Sequence, residues 1–79
     1  MMGAENMATH QELEFARTSL KEELEAIDNY QRRIDAAKDD ELKNVLKHNM
    51  DEEKEHVAML VEWLRKADKT QDKKFEEHD

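Results

Sequence analysis

The chain has 79 residues, of which 21 are acidic and 13 basic, so its formal net charge is −8. An acidic surface repels phosphate groups and attracts cations, which excludes nucleic acid as the expected partner. The absence of cysteine excludes disulfides and thiolate metal ligands, and no apolar run predicts a signal peptide or a membrane span. We expect a soluble, cytoplasmic, single-domain protein that needs a partner subunit, because so short a chain buries little apolar surface.

The N-terminal half of the sequence predicts a lead-in and one long helix. Residues 1–9 show no sustained periodicity and are expected to be mobile, with Thr9 as a candidate helix cap. From about residue 10 to 37, apolar residues recur at helical spacing and charged residues occupy the opposite face. Glu23 lies at the edge of this apolar stripe, on the flank that it shares with Tyr30. The stripe consists of Leu13, Ala16, Leu20, Leu24, Ile27, Ile34 and Ala37.

The second half predicts another long helix, over about residues 40–67. Asp39 or Asp40 is the expected cap, and the turn before it is short enough to make an antiparallel hairpin of residues 10–67. After that the pattern decays, and residues 68–79 are expected to form a short helix or a tail. The second apolar stripe consists of Leu42, Leu46, Met50, Val57, Leu60 and Leu64.

Charged side chains interrupt both apolar stripes. Glu53 falls at the centre of the second stripe, and His56 follows it by one helical turn on the flank, so the two side chains can converge on one ion. Glu23 borders the stripe of the facing helix. Because charged groups on a core face are costly unless they are paired or metal-bound, the three residues predict a metal site. Oxygen and nitrogen ligands without sulfur favour iron.

The same spacing suggests how the site is completed. Di-iron carboxylate bundles use one Glu from each of two helices and a Glu-x-x-His from each of the other two, and this chain supplies half of that set. We therefore predict an all-α fold, an antiparallel two-helix hairpin that dimerises into a ferritin-like four-helix bundle around two irons. Oxidation of Fe(II) is the expected reaction. Met59 and Trp63 are assigned to packing at the interface.

Other interpretations of these residues remain open. Glu53 and His56 would also serve as a buried polar pair that fixes the register of a purely structural helical assembly. The same ligands would also suit a non-catalytic module that binds a divalent metal. Tyr30 is either a packing residue or a hydrogen-bond donor near the site. On spacing alone, Glu22 and Glu25 are ordinary exposed helix charges.

Two segments carry a resemblance to a known family. The sequences EELEAIDNY at residues 22–30 and DEEKEH at 51–56 resemble encapsulated ferritins, and the likeness extends over both predicted helices. It implies a two-helix ferroxidase whose di-iron centre forms at a subunit interface, within a ring-shaped decamer of five dimers. It also implies a location inside an encapsulin nanocompartment, where the shell protein is the partner and stores the ferric mineral.

The resemblance also assigns roles to individual residues. Glu23, Glu53 and His56 match the ligands of the ferroxidase centre, which holds two irons at each dimer interface, and Tyr30 matches the tyrosine beside it. Glu22 and Glu25 match an outer metal site on the path of incoming ions. Such a paired carboxylate site would bind a hard cation weakly, and calcium is a further candidate there.

The chain departs from the family pattern in two places. Asn29 stands where tryptophan often precedes the tyrosine, so we expect different packing around the centre. The residues after Phe75 do not resemble the C-terminal peptide that targets family members to the shell.

Overall fold

The structure, a computed structural model, describes residues 8–79 as an antiparallel helical hairpin followed by a short third helix. Helix α1 spans His10–Ala36, α2 spans Asp40–Ala67 and α3 spans Lys69–His78. The described residues contain no strand, so the predicted all-α fold and hairpin are confirmed, and the C-terminal segment, predicted as a short helix or a tail, forms a helix. Most of the predicted mobile lead-in, residues 1–7, lies outside the described residues. None of the three helices is both long and apolar enough to cross a membrane.

Helix α1 begins at a capping box. The Thr9 hydroxyl accepts a hydrogen bond from the backbone N–H of Glu12 at 3.0 Å, and the Glu12 carboxylate accepts one from the backbone N–H of Thr9 at 2.9 Å. These bonds satisfy donors that the first turn of a helix leaves free. The helix ends at Ala36, one residue before the predicted end, because Ala37 is already extended.

Asp39, one of the two predicted caps, is the N-cap of helix α2. Its carboxylate accepts a hydrogen bond from the backbone N–H of Leu42 at 2.8 Å. The first turn carries Asp40 and Glu41, and the last turn carries the basic Arg65. Both placements are favourable, because negative charge stabilises the N-terminal end of a helix and positive charge the C-terminal end.

The core of the hairpin is a narrow seam between α1 and α2. Ala16, Met50 and Leu64 are buried, with 8%, 7% and 6% of their surface exposed. Helix α1 packs against α2 alone, and α2 has only the short α3 as a second neighbour, so apolar side chains beside the seam remain uncovered. Fully burying one such large side chain would contribute about 1.5–3 kcal/mol, which makes further packing favourable. The exposed large apolar residues are Phe15, Leu24, Leu42, Val45, Met59 and Trp63.

Helix α3 packs against α2 and not against α1. Asp68 lies between α2 and α3 and caps α3, because its carboxylate accepts a hydrogen bond from the backbone N–H of Gln71 at 3.1 Å. Farther along, the Arg65 guanidinium donates to Asp72 at 2.6 Å and lies 5.1 Å from the ring centroid of Phe75. One arginine of α2 therefore holds one face of α3.

Candidate metal centre

Glu23, Glu53 and His56 come together near the middle of the hairpin. Helix α1 supplies Glu23, and α2 supplies the other two residues. Glu53 follows the buried Met50 by three residues, so it lies on the α2 face that packs against α1. His56 follows by another three and lies beside it. One ligand atom from each of the three residues lies within 4.8 Å of the others.

The imidazole of His56 is the centre of this cluster. Its Nδ1 lies 3.0 Å from Oε2 of Glu23 and 3.6 Å from Oε2 of Glu53. The two carboxylate side chains are 24% and 20% exposed, whereas the imidazole is 49% exposed. The hairpin therefore largely covers the two carboxylates, whereas the imidazole is accessible from outside the hairpin.

The three groups perturb one another's protonation. A hydrogen bond in which Glu53 keeps the proton lowers the pKa of Glu23 and raises the pKa of Glu53. The hydrogen bond with Glu23 raises the pKa of His56. In the absence of a metal ion, protons therefore relieve the repulsion between two neighbouring carboxylates. A bound cation would do the same and would release those protons.

The donor set fits a hard or borderline divalent ion. Two carboxylates and one imidazole offer oxygen and nitrogen, which suit iron(II), manganese(II) or zinc(II). Two ligand atoms that bind one ion at about 2.0–2.2 Å lie no more than about 4.4 Å apart. The separations of 3.0 and 3.6 Å at His56 already satisfy this limit. Three protein ligands leave coordination positions open for a substrate or for further ligands.

An apolar groove runs beside the cluster. Its volume is about 540 Å³, and Glu23 and His56 form part of its wall. Phe15 and Trp63 line its continuation toward the start of α1. The groove therefore joins the candidate metal ligands to the uncovered apolar flank of the hairpin. Among the residues that line the main groove are Ser19, Glu23, His56, Met59, Leu60 and Trp63.

The remaining predicted site residues lie outside the cluster. Tyr30 is half-buried on α1, with the Arg33 guanidinium 5.7 Å from its ring centroid, and it makes no hydrogen bond to the cluster within residues 8–79. Glu22 and Glu25 are exposed on α1. The structure does not bring these three residues to the ligand group, and their functional roles stay predictions.

Met59 and Trp63 line the groove, although the sequence indicated only packing for them. Met59 is 58% exposed and Trp63 is 39% exposed. Counting back from Trp63, the steps to Met59, His56, Glu52, Asn49 and Val45 alternate between four and three residues. Of these positions, Trp63, Met59 and Val45 carry the apolar side chains expected in a helix-packing seam, and they were the available signal for an uncovered flank.

Comparison with known proteins gives concordant matches. Residues 3–78 match the sequence model of the EncFtn-like family. The chain is 46% identical over 77 residues to the encapsulated ferritin-like protein of Rhodospirillum rubrum, covering 85% of this chain and 55% of that protein. It is 53% identical over 51 residues to the ferritin-like protein of Thermotoga maritima, covering 65% and 45% of the two chains. It is 40% identical over 55 residues to the encapsulin nanocompartment cargo protein EncC of Myxococcus xanthus, covering 70% and 42%.

The chain spans about half the length of these curated relatives. The crystal structure of a Nitrosomonas europaea protein, 52% identical in sequence, matches the fold with a TM-score of 0.81 and covers 85% of this chain and 74% of that one. The family match includes both helices that supply the candidate metal ligands. The chain therefore belongs to the EncFtn-like family.

Proposed function

We propose that the protein is a ferroxidase, which oxidises Fe(II) to Fe(III) at a di-iron centre formed between two copies of the chain. The observation that carries this proposal is the convergence of Glu23, Glu53 and His56 at the wall of an apolar groove. One Glu from α1 and a Glu-x-x-His from α2 make half of a di-iron carboxylate set. Membership of the EncFtn-like family, and relatives named ferritin-like, support iron as the metal.

A second copy of the hairpin would complete the site. Two hairpins related by a two-fold axis contain four helices and six ligands, enough for two irons at each interface. Phe15, Met59 and Trp63 border the groove and are exposed in the single chain, so a second copy would bury apolar surface there. The proposed assembly is a homodimer, and a decameric ring of five dimers is the larger assembly that the resemblance implies.

Fe(II) is the substrate in this proposal. Glu53, at the centre of the α2 face, is proposed to bridge or chelate two ions, while Glu23 and His56 would complete the ligands of each ion. Carboxylates attract Fe(III) more strongly than Fe(II), because the attraction grows with the charge of the ion, so the ligands favour loss of an electron. Dioxygen is the proposed electron acceptor. His56 would release its proton when the ion binds, and this proton would become available to the reduced oxygen.

Glu22 and Glu25 are proposed to guide ions to this centre. They lie exposed at i and i+3 on α1, so their carboxylates are neighbours on the helix surface. A two-fold axis would bring a second pair nearby and form a weak outer cation site, for which iron or calcium would be suitable. Tyr30 is proposed to assist at the centre from the same helix.

The iron oxidised here is proposed to be stored inside an encapsulin shell. One relative is named an encapsulin nanocompartment cargo protein, and another is named an encapsulated ferritin-like protein. The shell protein would then be the second partner, and the lumen of the nanocompartment the location. The net charge of −8 supports this role, because an acidic surface concentrates Fe(II).

Aerobic oxidation of Fe(II) by the purified chain tests the proposal. Ferric absorbance at about 300 nm should rise much faster with the wild-type chain than with Glu53→Ala or His56→Ala. Each variant removes one proposed ligand of the di-iron centre, so iron should no longer bind there in a reactive arrangement. Glu55→Ala and His48→Ala are matched controls. Both residues are exposed on the same helix and outside the cluster, and these variants should keep the wild-type rate.

The other outcomes assign the protein to its alternatives. Tight Fe(II) binding without faster oxidation would contradict the ferroxidase proposal and favour a metal-binding module. Equal slow oxidation in all variants without binding would favour a structural assembly. Light scattering on the same samples measures the mass of the assembly. A monomeric species that oxidises iron at the full rate would contradict a centre shared between two copies.

A further inference from the structure

We propose that Met59 is an oxidation site that consumes hydrogen peroxide formed during iron oxidation. This inference rests on the proposed ferroxidase function. Met59 lines the same groove as Glu23 and His56, and in the proposed dimer the second copy covers this groove. It follows His56 by three residues on α2, so the two side chains are neighbours on the surface of the helix. A small oxidant that moves from the cluster into the groove therefore has this thioether in the groove wall.

The structure provides an internal comparison for Met59. Met50 lies on the same helix, three residues before the ligand Glu53, and it is buried in the seam between α1 and α2 with 7% of its surface exposed. Each methionine is therefore about one helical turn from a candidate metal ligand. They differ in place, because Met59 lies in the groove that Glu23 and His56 also line, whereas Met50 is buried in the seam.

The chemistry requires no reactant beyond those of the proposed reaction. Oxidation of two Fe(II) ions by one dioxygen, with uptake of two protons, yields two Fe(III) ions and one hydrogen peroxide. The sulfur of Met59 then attacks one peroxide oxygen, the O–O bond breaks and an S–O bond forms. The second oxygen leaves as water after proton transfer. Sulfur loses two electrons and the peroxide gains them, which makes methionine sulfoxide.

The groove offers peroxide few competing targets. The chain contains no cysteine, so methionine is its most readily oxidised side-chain type. His56 and Trp63 line the same groove, and loss of either ring would damage the site or its packing surface. Because methionine sulfoxide can be reduced again enzymatically, oxidation at Met59 spares these residues at a reversible cost.

Peptide mass spectrometry after aerobic turnover tests the inference. The wild-type chain is given Fe(II) in repeated additions, with catalase in the solution to remove peroxide that escapes from the protein. Sulfoxide at Met59 should accumulate with each addition to a level several-fold above that at Met50. In Glu53→Ala, treated identically, it should stay at the level of a sample without iron, because no peroxide forms at the site.

Three outcomes would overturn the inference. The first is equal sulfoxide at Met59 and Met50, and the second is sulfoxide at Met59 that does not depend on Glu53. The third is an unmodified Met59 in samples whose ferric absorbance shows rapid, Glu53-dependent iron oxidation, which would leave the ferroxidase proposal standing. Slow iron oxidation, equal in wild-type and Glu53→Ala, would instead overturn both proposals.

A second measurement follows the peroxide itself. With catalase omitted, a peroxidase-coupled dye reports hydrogen peroxide released per iron oxidised. Met59→Leu keeps an apolar side chain of similar volume but has no sulfur. In the first additions it should release more peroxide per iron than the wild-type chain, up to a single equivalent per chain. Equal release from the two proteins would contradict consumption at Met59.

Discussion

Two charged clusters lie along α2, and they differ in how their charges balance. Near the end of the helix, the Arg65 guanidinium lies 2.6 Å from Asp72 and 3.9 Å from Asp79. In the middle of the helix, two carboxylates share one imidazole, with Nδ1 at 3.0 Å from Glu23 and 3.6 Å from Glu53. Arginine is charged at every accessible pH, whereas histidine is charged only when it is protonated.

The difference separates a structural cluster from a site that can bind a ligand. The hydrogen bond with Asp72 raises the pKa of Arg65, so this cluster has its cation at all times and needs no ligand. The carboxylates of the metal cluster have a cation only when His56 is protonated or a metal ion is bound. The first cluster therefore holds α3 on α2, and the second remains available to bind a metal ion.

Replacing one carboxylate in each cluster by its amide should give the largest contrast. Glu53→Gln should lower Fe(II) affinity by at least about 10–100-fold. Loss of a residue that only hydrogen-bonds to a metal ligand already costs this much, and Glu53→Gln removes a ligand itself. It should also raise the melting temperature of the metal-free chain at about pH 8, because it removes repulsion between neighbouring carboxylates. Anaerobic titration calorimetry and thermal circular dichroism measure the two effects.

Asp72→Asn is the matched change in the other cluster. It should leave Fe(II) affinity unaltered, and it should lower the melting temperature slightly or loosen only α3, because it removes a favourable ion pair. If both variants lost Fe(II) affinity equally, or if Glu53→Gln melted at a lower temperature than the wild-type chain, the proposed contrast between the clusters would be wrong.

A change of pH near neutrality should affect the metal cluster, because this cluster contains a histidine. The folded-state pKa of His56 is raised, so its contact with Glu23 stabilises the metal-free fold fully below about pH 6.5 and less as the pH rises through the folded value. The raised pKa of Glu53 acts in the same direction, and the lowered pKa of Glu23 adds stability that is lost only in acid.

Fe(II) affinity should change with pH in the opposite sense. It should rise as the pH increases from about 6 to 8, by up to about tenfold per pH unit for each proton released. Calorimetry in buffers of different ionisation enthalpy counts these protons. His48→Ala, which changes an exposed histidine outside the cluster, should show the same profile. An affinity that did not vary with pH would contradict proton displacement by the metal.

The smallest expected effect is local to α3. Arg65→Met should speed hydrogen exchange of the amides of residues 69–78, because α3 loses its ion pairs and its contact with Phe75. The change in overall stability should be small, since partly exposed ion pairs contribute little. Lys73→Met is the control, because Lys73 is exposed and makes no ion pair within residues 8–79. Equal exchange in the two variants would contradict a role of Arg65 in holding α3.

The sequence predicted the hairpin well because its signals are local. The apolar stripes have the helical period, and Asp39, one of the two expected caps, is the N-cap of α2. The neighbouring positions of Glu53 and His56 also followed from sequence, since residues three apart on a helix are adjacent. Contact of these two with Glu23, 33 residues from His56, depends on the register between α1 and α2. The sequence indicated this contact only because Glu23, Glu53 and His56 lie on or beside the apolar stripes of the two helices.

Other features depend on how the helices lie together in space. The sequence predicted either a helix or a tail for residues 68–79. The structure decides for a helix, and the contacts of Arg65 with Asp72 and Phe75 show that this helix packs against α2. The groove beside the cluster was not anticipated either. Residues of both helices form its walls, and the distance between two packed helices cannot be deduced from the apolar pattern of either helix alone.

The sequence by itself therefore determined α1 and α2, the caps of these two helices, the family and the three candidate ligands, because each follows from neighbouring residues or from segments that resemble a known family. The tertiary structure decided which charges are balanced inside the chain and which are left open. It brought two carboxylates and one imidazole within 4.8 Å at the edge of a groove, and it gave Arg65 its own acidic partners. Charge balance depends on distances between side chains of different helices, and those distances arise only when the helices pack.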